Sequence, residues 1–81
     1  MRYSTPFNEP VLQPRDDFYS RWYTHFDEPP EGEIARFIEE DGGTWGCEIF
    51  DNNDRTMQAN DFESEADLRE WLTSNRIEIE R

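Results

Sequence analysis

Two turn signals bracket the segment Thr44–Phe50, and that bracket constrains the fold more than any other feature of the chain. Inside it, Trp45, Cys47 and Ile49 alternate with Thr44, Gly46 and Glu48. This is the period of a strand with one apolar face. Before it stands Asp41-Gly42-Gly43, where glycine supplies the positive φ of a tight hairpin. After it stands Asp51-Asn52-Asn53-Asp54, where asparagine tolerates the left-handed region. Glu33–Glu40 and Arg55–Asp61 then read as the flanking strands, with Met57 and Ala59 facing inward. Three sequential strands joined by short turns form an antiparallel meander.

A helix follows. In Ser64-Glu65-Ala66-Asp67, Ser64 is placed as an N-cap with an acid at N3. Glu63, Glu65 and Asp67 complement the positive end of the helix dipole. Leu68, Trp71 and Leu72 form an apolar stripe at helical spacing, and Asn75 reads as a C′-type stop. Arg76–Glu80 alternates Ile77 and Ile79 with charge, as a last strand at the sheet edge would. Asp16–Phe26 supports two readings, because Phe18, Trp22 and Phe26 share a face in a helix and also in a strand. A helix capped by Asp16 or Asp17 is favoured, and Asp27-Glu28-Pro29-Pro30-Glu31-Gly32 ends either element. Residues 1–15 carry three prolines and read as an extended arm, anchored by Tyr3, Phe7 and Leu12, with regular structure limited to a short piece such as Arg2–Phe7. The expected fold class is α+β: a small antiparallel sheet of three or more strands packed by a C-terminal helix, with a second helix at 16–26 as the favoured addition.

The chain of 81 residues is expected to form one domain, 1–81, without internal repeats or a linker. A chain this short buries only about 60% of its unfolded surface. Its aromatic content of 15% offsets that, because each large ring buries roughly 150–250 Å². The one cysteine, Cys47, rules out an internal disulfide and a cysteine-based zinc cluster, and its place among inward positions predicts a buried, inert thiol. No apolar h-region follows Met1, and no run reaches the ~18 apolar residues of a membrane span. A cytoplasmic protein is expected.

The formal net charge is −12: twenty acidic residues against eight basic ones, all arginine. Direct binding to nucleic acid or to an anionic membrane needs basic patches, so both are excluded as expectations. A basic partner is favoured instead. Salt adaptation or plain solubility would also produce an acidic chain, but salt-adapted proteins are rich in Ala and Val. Here Ala stands only at 35, 59 and 66, Val only at 11, and there are six Phe.

Catalytic chemistry is sparsely represented. His25 is the one histidine and sits in an aromatic segment, where a packing or surface role is expected. There is no glycine-rich phosphate loop, no His-x-x-x-His and no Cys-x-x-Cys. Asp51–Asp54 opens like a calcium loop, but Arg55 and Thr56 follow where that loop requires a ligand and a glycine. No enzyme activity, metal, cofactor or small-molecule substrate is expected.

The acids gather at predicted turns and edges. Asp27, Glu28, Glu31 and Glu33 form one group, and Glu39, Glu40 and Asp41 a second. Glu48, Asp51 and Asp54 form a third, and Asp61, Glu63, Glu65 and Asp67 a fourth. Of these, Asp27, Glu28, Glu31, Glu39, Glu40, Asp41, Asp51, Asp54, Asp61 and Glu63 are the candidate partner-binding residues. Carboxylates spaced several ångströms apart imitate a phosphate backbone and pair well with the Arg and Lys of a nucleic-acid groove.

From Ala35-Arg36-Phe37 through a glycine turn, a strand, a polar turn and Ala59-Asn60-Asp61-Phe62-Glu63-Ser64 to Leu68 and Trp71, the chain resembles the first type I-F anti-CRISPR family. That family is small and phage-encoded, with a sheet, a hairpin and a helix opened by a similar Asp-Phe-acid-Ser segment. The resemblance covers about half of the chain. It implies a phage or mobile-element inhibitor, with a CRISPR surveillance complex as partner and blocked target-DNA binding as the outcome. The chain departs from the family in its longer arm, in its greater acidity, and in carrying Phe37 where the family has a Tyr that meets its target. Two other expectations fit the same charge: an acidic immunity protein or antitoxin that neutralises a basic nuclease, and an ordinary acidic adaptor or salt-adapted domain.

Overall fold

The computed structural model describes residues 9–80. The element order is β1 (Val11–Leu12), α1 (Phe18–His25), β2 (Glu33–Asp41), β3 (Thr44–Asp51), β4 (Asp54–Phe62), α2 (Glu65–Ser74) and β5 (Glu78–Ile79). The fold is α+β, with a five-stranded mixed sheet in the order β1-β4-β3-β2-β5.

The central three strands are the expected antiparallel meander. β2 meets β3 with Ala35 opposite Ile49, and β3 meets β4 with Cys47 opposite Ala59. Gly42 and Gly43 both hold positive φ, 65° and 93°, in the two-residue β2–β3 turn. Asn52 takes the left-handed conformation in the next turn, at φ 62°. The outer strands differ from the antiparallel expectation. β1 lies parallel to β4, with Leu12 opposite Ala59, and β5 lies parallel to β2, with Ile79 opposite Ala35. Each is reached by a helical crossing, α1 after β1 and α2 before β5, and such crossings return the chain in the parallel sense.

Both helices cover one face of the sheet. Phe18, Trp22 and Phe26 from the α1 segment join Leu68, Trp71 and Leu72 of α2 over Leu12, Ala35, Cys47, Ile49, Met57 and Ala59. The segment Asp16–Phe26 thus forms a helix over Phe18–His25, with Asp17 as the cap: its carboxylate accepts the Ser20 N–H at 2.9 Å. Tilted ring contacts run along it, with Trp22 and Phe26 centroids 4.3 Å apart. The Trp22 indole N–H donates to the Glu28 carbonyl and fixes the α1–β2 connection. The Trp71 indole N–H donates to the Asp16 carbonyl at 3.0 Å and ties α2 to the start of α1.

Ser64 caps α2 as expected, accepting the Asp67 N–H at 3.1 Å. The helix stop is one residue later than expected. Asn75 is the C-cap with φ −95°, and Arg76 takes the left-handed C′ position at φ 61°. The Arg76 N–H reaches the Thr73 carbonyl and the Ile77 N–H reaches the Leu72 carbonyl, which together form a Schellman motif. Asn75 is held there by its side chain, which accepts the Phe18 N–H and donates to the Trp71 carbonyl.

Of the arm, Leu12 is the anchor within the described residues and is fully buried. Tyr3, Phe7 and the extended piece Arg2–Phe7 lie outside them. Among the described residues, no helix is long and apolar enough to cross a membrane.

Candidate functional site

The strand register sorts the candidate acids into two ends of the sheet. At one end, Trp45 pairs with Glu40 on one side and Phe62 on the other. This row brings Glu39, Glu40 and Asp41 of β2 alongside Asp61 and Glu63 at the end of β4. At the other end, Asp51 pairs with Glu33 and with Asp54. Glu31 and Asp54 are exposed there, and the exposed Asp27 and Glu28 stand on the loop that leads into β2. β3 separates the ends by roughly 25 Å at about 3.3 Å per residue.

Asp51 does not belong with the surface acids. It is 2% exposed, as Glu33 beside it is 5% exposed, so a partner does not reach either carboxylate. The alternation of β3 runs on through its last residue and turns Asp51 inward with Ile49 and Cys47.

The end containing Asp61 is concave on two sides. A groove of about 860 Å³ lies between α2, the end of β4 and the segment after β1. Its lining includes Gln13, Pro14, Arg15, Asp61, Phe62, Glu63, Asp67, Glu70, Trp71 and Ser74. A second concavity, of about 420 Å³, opens over the β2–β3–β4 surface and is lined by Glu39, Asp41, Glu48 and Asp61 together with Phe37, Trp45 and Asn60. Asp61 is shared by both. Among the described residues, the two hollows are lined by seven different carboxylates and one arginine, Arg15.

Local structure explains how these side chains arrive there. Asp61 has φ 69° at an irregularity in the β3–β4 ladder. The left-handed residue turns the end of β4 and lets the Asp61 carboxylate receive the Gln13 side-chain N–H at 2.8 Å, which joins the arm to the sheet. Glu63, Asp67 and Glu70 follow at helical spacing along one side of α2 and its entry. Gly46 forms part of the second hollow for a steric reason: a Cβ there would lie 2.5 Å from Asn60 Oδ1 and 2.7 Å from the Ala59 carbonyl.

Several arginines are already engaged. Arg55 bridges Glu9 and Glu48, at 2.9 and 2.8 Å, on the sheet face away from the helices. These two carboxylates hold the Arg55 guanidinium above its ordinary pKa. Arg36 pairs with Glu80 and lies over the Phe50 ring at 4.9 Å, and Arg69 pairs with Glu65 within α2. Among the described residues, no arginine comes within ion-pair distance of Glu63, Asp67 or Glu70. Among the described residues, these three carboxylates thus have no ion-paired arginine, whereas Glu48 in the second hollow is bridged to Arg55.

The remaining candidates for chemistry are dispersed. Cys47 is buried, and burial, with the Glu48 carboxylate beside it, pushes its thiol up to about 12. His25 is exposed near the end of α1. No group of three metal-ligating side chains converges among the described residues.

Glu39, Glu40 and Asp41 stand in one turn group of the sequence and Asp61 and Glu63 in another, and the register brings both to one end. Glu70 and the wall formed by residues 13–15 were missed. For Glu70 a signal existed: it stands three residues after Asp67 and next to Trp71, on the edge of the apolar stripe. For residues 13–15 there was none, because their place is set by pairing with β4, far along the chain. No family model, curated protein or solved structure matches the chain.

Proposed function

We propose that this chain is an inhibitory binding protein that presents carboxylates where a basic partner is built to receive phosphates. In the form its sequence resemblance implies, it is a phage or mobile-element anti-CRISPR that occupies the basic nucleic-acid channel of a CRISPR surveillance complex and keeps target DNA out. The observation that supports this most is the acidic end of the sheet, where two adjoining hollows share Asp61 and, among the described residues, are lined by seven carboxylates, of which Glu48 is bridged to Arg55, and by one arginine, Arg15. Lys and Arg in a nucleic-acid channel form charge-assisted hydrogen bonds to carboxylates much as they do to phosphates. Negative charge on this scale also steers encounter with a basic surface. The action is occupancy, not catalysis.

The test uses a purified surveillance complex loaded with guide RNA and a labelled target duplex. The protein is expected to bind the complex and to reduce target-DNA binding at stoichiometric ratios. The charge-reversed variant D61K/E63K is expected to lose that effect. A basic nuclease recovered from lysate in place of the complex would move the assignment to an immunity protein.

A further inference from the structure

The sheet has two faces, and among the described residues both helices pack on one of them. The register fixes what the other face carries. Cys47 and Ile49 point into the core, so Glu48 and Phe50 point away from it. Their cross-strand partners share that direction: Arg36 and Gln58 beside Glu48, and Ile34 beside Phe50. Val11 opposite Gln58 and Glu78 opposite Ile34 carry the face out to both edges. An aromatic pair stands near its centre. The Phe37 and Phe50 rings meet edge to face with centroids 6.0 Å apart, and Arg36 lies over Phe50 at 4.9 Å. Phe37 is 61% and Val11 40% exposed, so apolar surface here is open to solvent.

The charges on this face decide what covers it. Around the rings they alternate in sign and are paired: Arg36 with Glu80 at 2.8 Å, and Arg55 with Glu48 and Glu9 at 2.8 and 2.9 Å. A basic partner finds these acids already engaged, and a nucleic acid meets more acids than arginines. A second copy fits, because a two-fold axis sets one patch against itself, and a patch of both signs then places arginine toward acid in both directions. The charge of −12 on each copy does not forbid the contact. The chain measures at least 23 Å along each principal axis, so the bulk of two touching copies is separated by about three screening lengths at ~0.15 M salt. The face is also large enough. Its central strands of eight or nine residues, with an edge strand on either side, cover roughly 20 by 25 Å. Two such faces bury on the order of 1,000 Å² in all, the lower bound of a specific interface.

We propose that two copies of this chain associate through the open sheet face, with the Phe37 and Phe50 rings of each at the centre of a reversible homodimer. This goes beyond the reading of the protein as a binder of basic partners and does not rest on it. The contact covers Phe37 and Glu48, which line the second hollow, and leaves the larger hollow free.

The test is sedimentation equilibrium of the full-length protein from about 10 µM to about 1 mM, in about 0.05 M and about 0.5 M salt. A monomer–dimer equilibrium is expected, tightening at least about threefold at the higher salt as repulsion between copies is screened. F37N is expected to weaken the dimer at least about tenfold. Asparagine tolerates the left-handed backbone that Phe37 holds at φ 59°, so the ring is lost and the fold kept, which circular dichroism checks. Y23A removes an exposed ring of α1 instead and is expected to change the equilibrium by less than about twofold. Amide shifts that move with concentration are expected at residues 34–37, 48–50 and 78–80. A protein that stays monomeric to about 1 mM at both salts would overturn the proposal, as would a dimer that F37N leaves intact or that Y23A abolishes. A monomer whose F37N variant no longer blocks target-duplex binding would also overturn it and assign the face to the inhibited partner.

Discussion

Asn75 makes two hydrogen bonds that reading it as a helix stop does not predict. Its side chain accepts the Phe18 N–H and donates to the Trp71 carbonyl, and the residue is 8% exposed. Asn75→Ala leaves a buried N–H at the head of α1 without its acceptor, at a cost of about 1–3 kcal/mol. Thermal unfolding should show a melting temperature lower by at least about 5 °C. Next to it, Arg76→Gly removes the penalty of a left-handed non-glycine residue and should stabilise the protein by about 1 kcal/mol in a denaturant titration. Cys47 supplies a pH dependence. Its folded thiol keeps its proton up to about 12, while the unfolded thiol loses it near 9.0. Between those values the unfolded state binds fewer protons, so stability falls as pH rises through that window. Cys47→Ala should flatten this alkaline limb, and labelling of the thiol at pH 8 should require denaturant. The inertness of Cys47 was legible from its strand alternation. The burial of Asp51 was not, because a turn signal began at the residue where the strand had not yet ended. Phe37 is 61% exposed at φ 59°, on a bulge that the run Glu33–Glu40 gives no sign of.

At the scale of elements, the legible parts are those whose signal is local. The meander was readable because alternation and turn chemistry agree over Thr44–Phe50. The second helix was readable because Ser64, Asp67 and the Leu68–Trp71–Leu72 stripe agree. Asp16–Phe26 was ambiguous because aromatics at i, i+4 and i+8 satisfy both periods. Packing of Phe18, Trp22 and Phe26 beside α2 on the core decides it for the helix. The two-residue strand β5 falls within Arg76–Glu80, where Ile77 and Ile79 alternate with charge, whereas β1 has no local signature. They exist because Leu12 and Ile79 meet Ala59 and Ala35 across the sheet, and the Glu9–Arg55–Glu48 bridge reinforces the first of these edges. Ser64→Ala should cost α2 about 1 kcal/mol by loss of its cap. Gly46→Ala should cost more, because the new methyl meets backbone as well as Asn60, and overpacking of this kind is worth about 1–3 kcal/mol. Both are measurable as shifts in the denaturant midpoint.

For the whole molecule, charge and shape lead to one arrangement. The chain extends 34 Å along its longest axis and places exposed acids at both ends of the sheet, with concave surfaces at the end that contains Asp61. Self-repulsion opposes folding, but a packed aromatic core under two helices holds the chain together. The protein is therefore expected to remain folded at low salt, with a melting temperature that rises modestly as screening increases. A salt-adapted domain would instead unfold when salt is withdrawn. Occupancy of a nucleic-acid channel is read out by target-duplex binding to a purified, guide-loaded surveillance complex, titrated with wild-type protein and with D61K/E63K. Wild-type protein is expected to block the duplex near one-to-one stoichiometry, and the folded charge-reversed variant is not. Undiminished duplex binding in the presence of excess wild-type protein would contradict that occupancy.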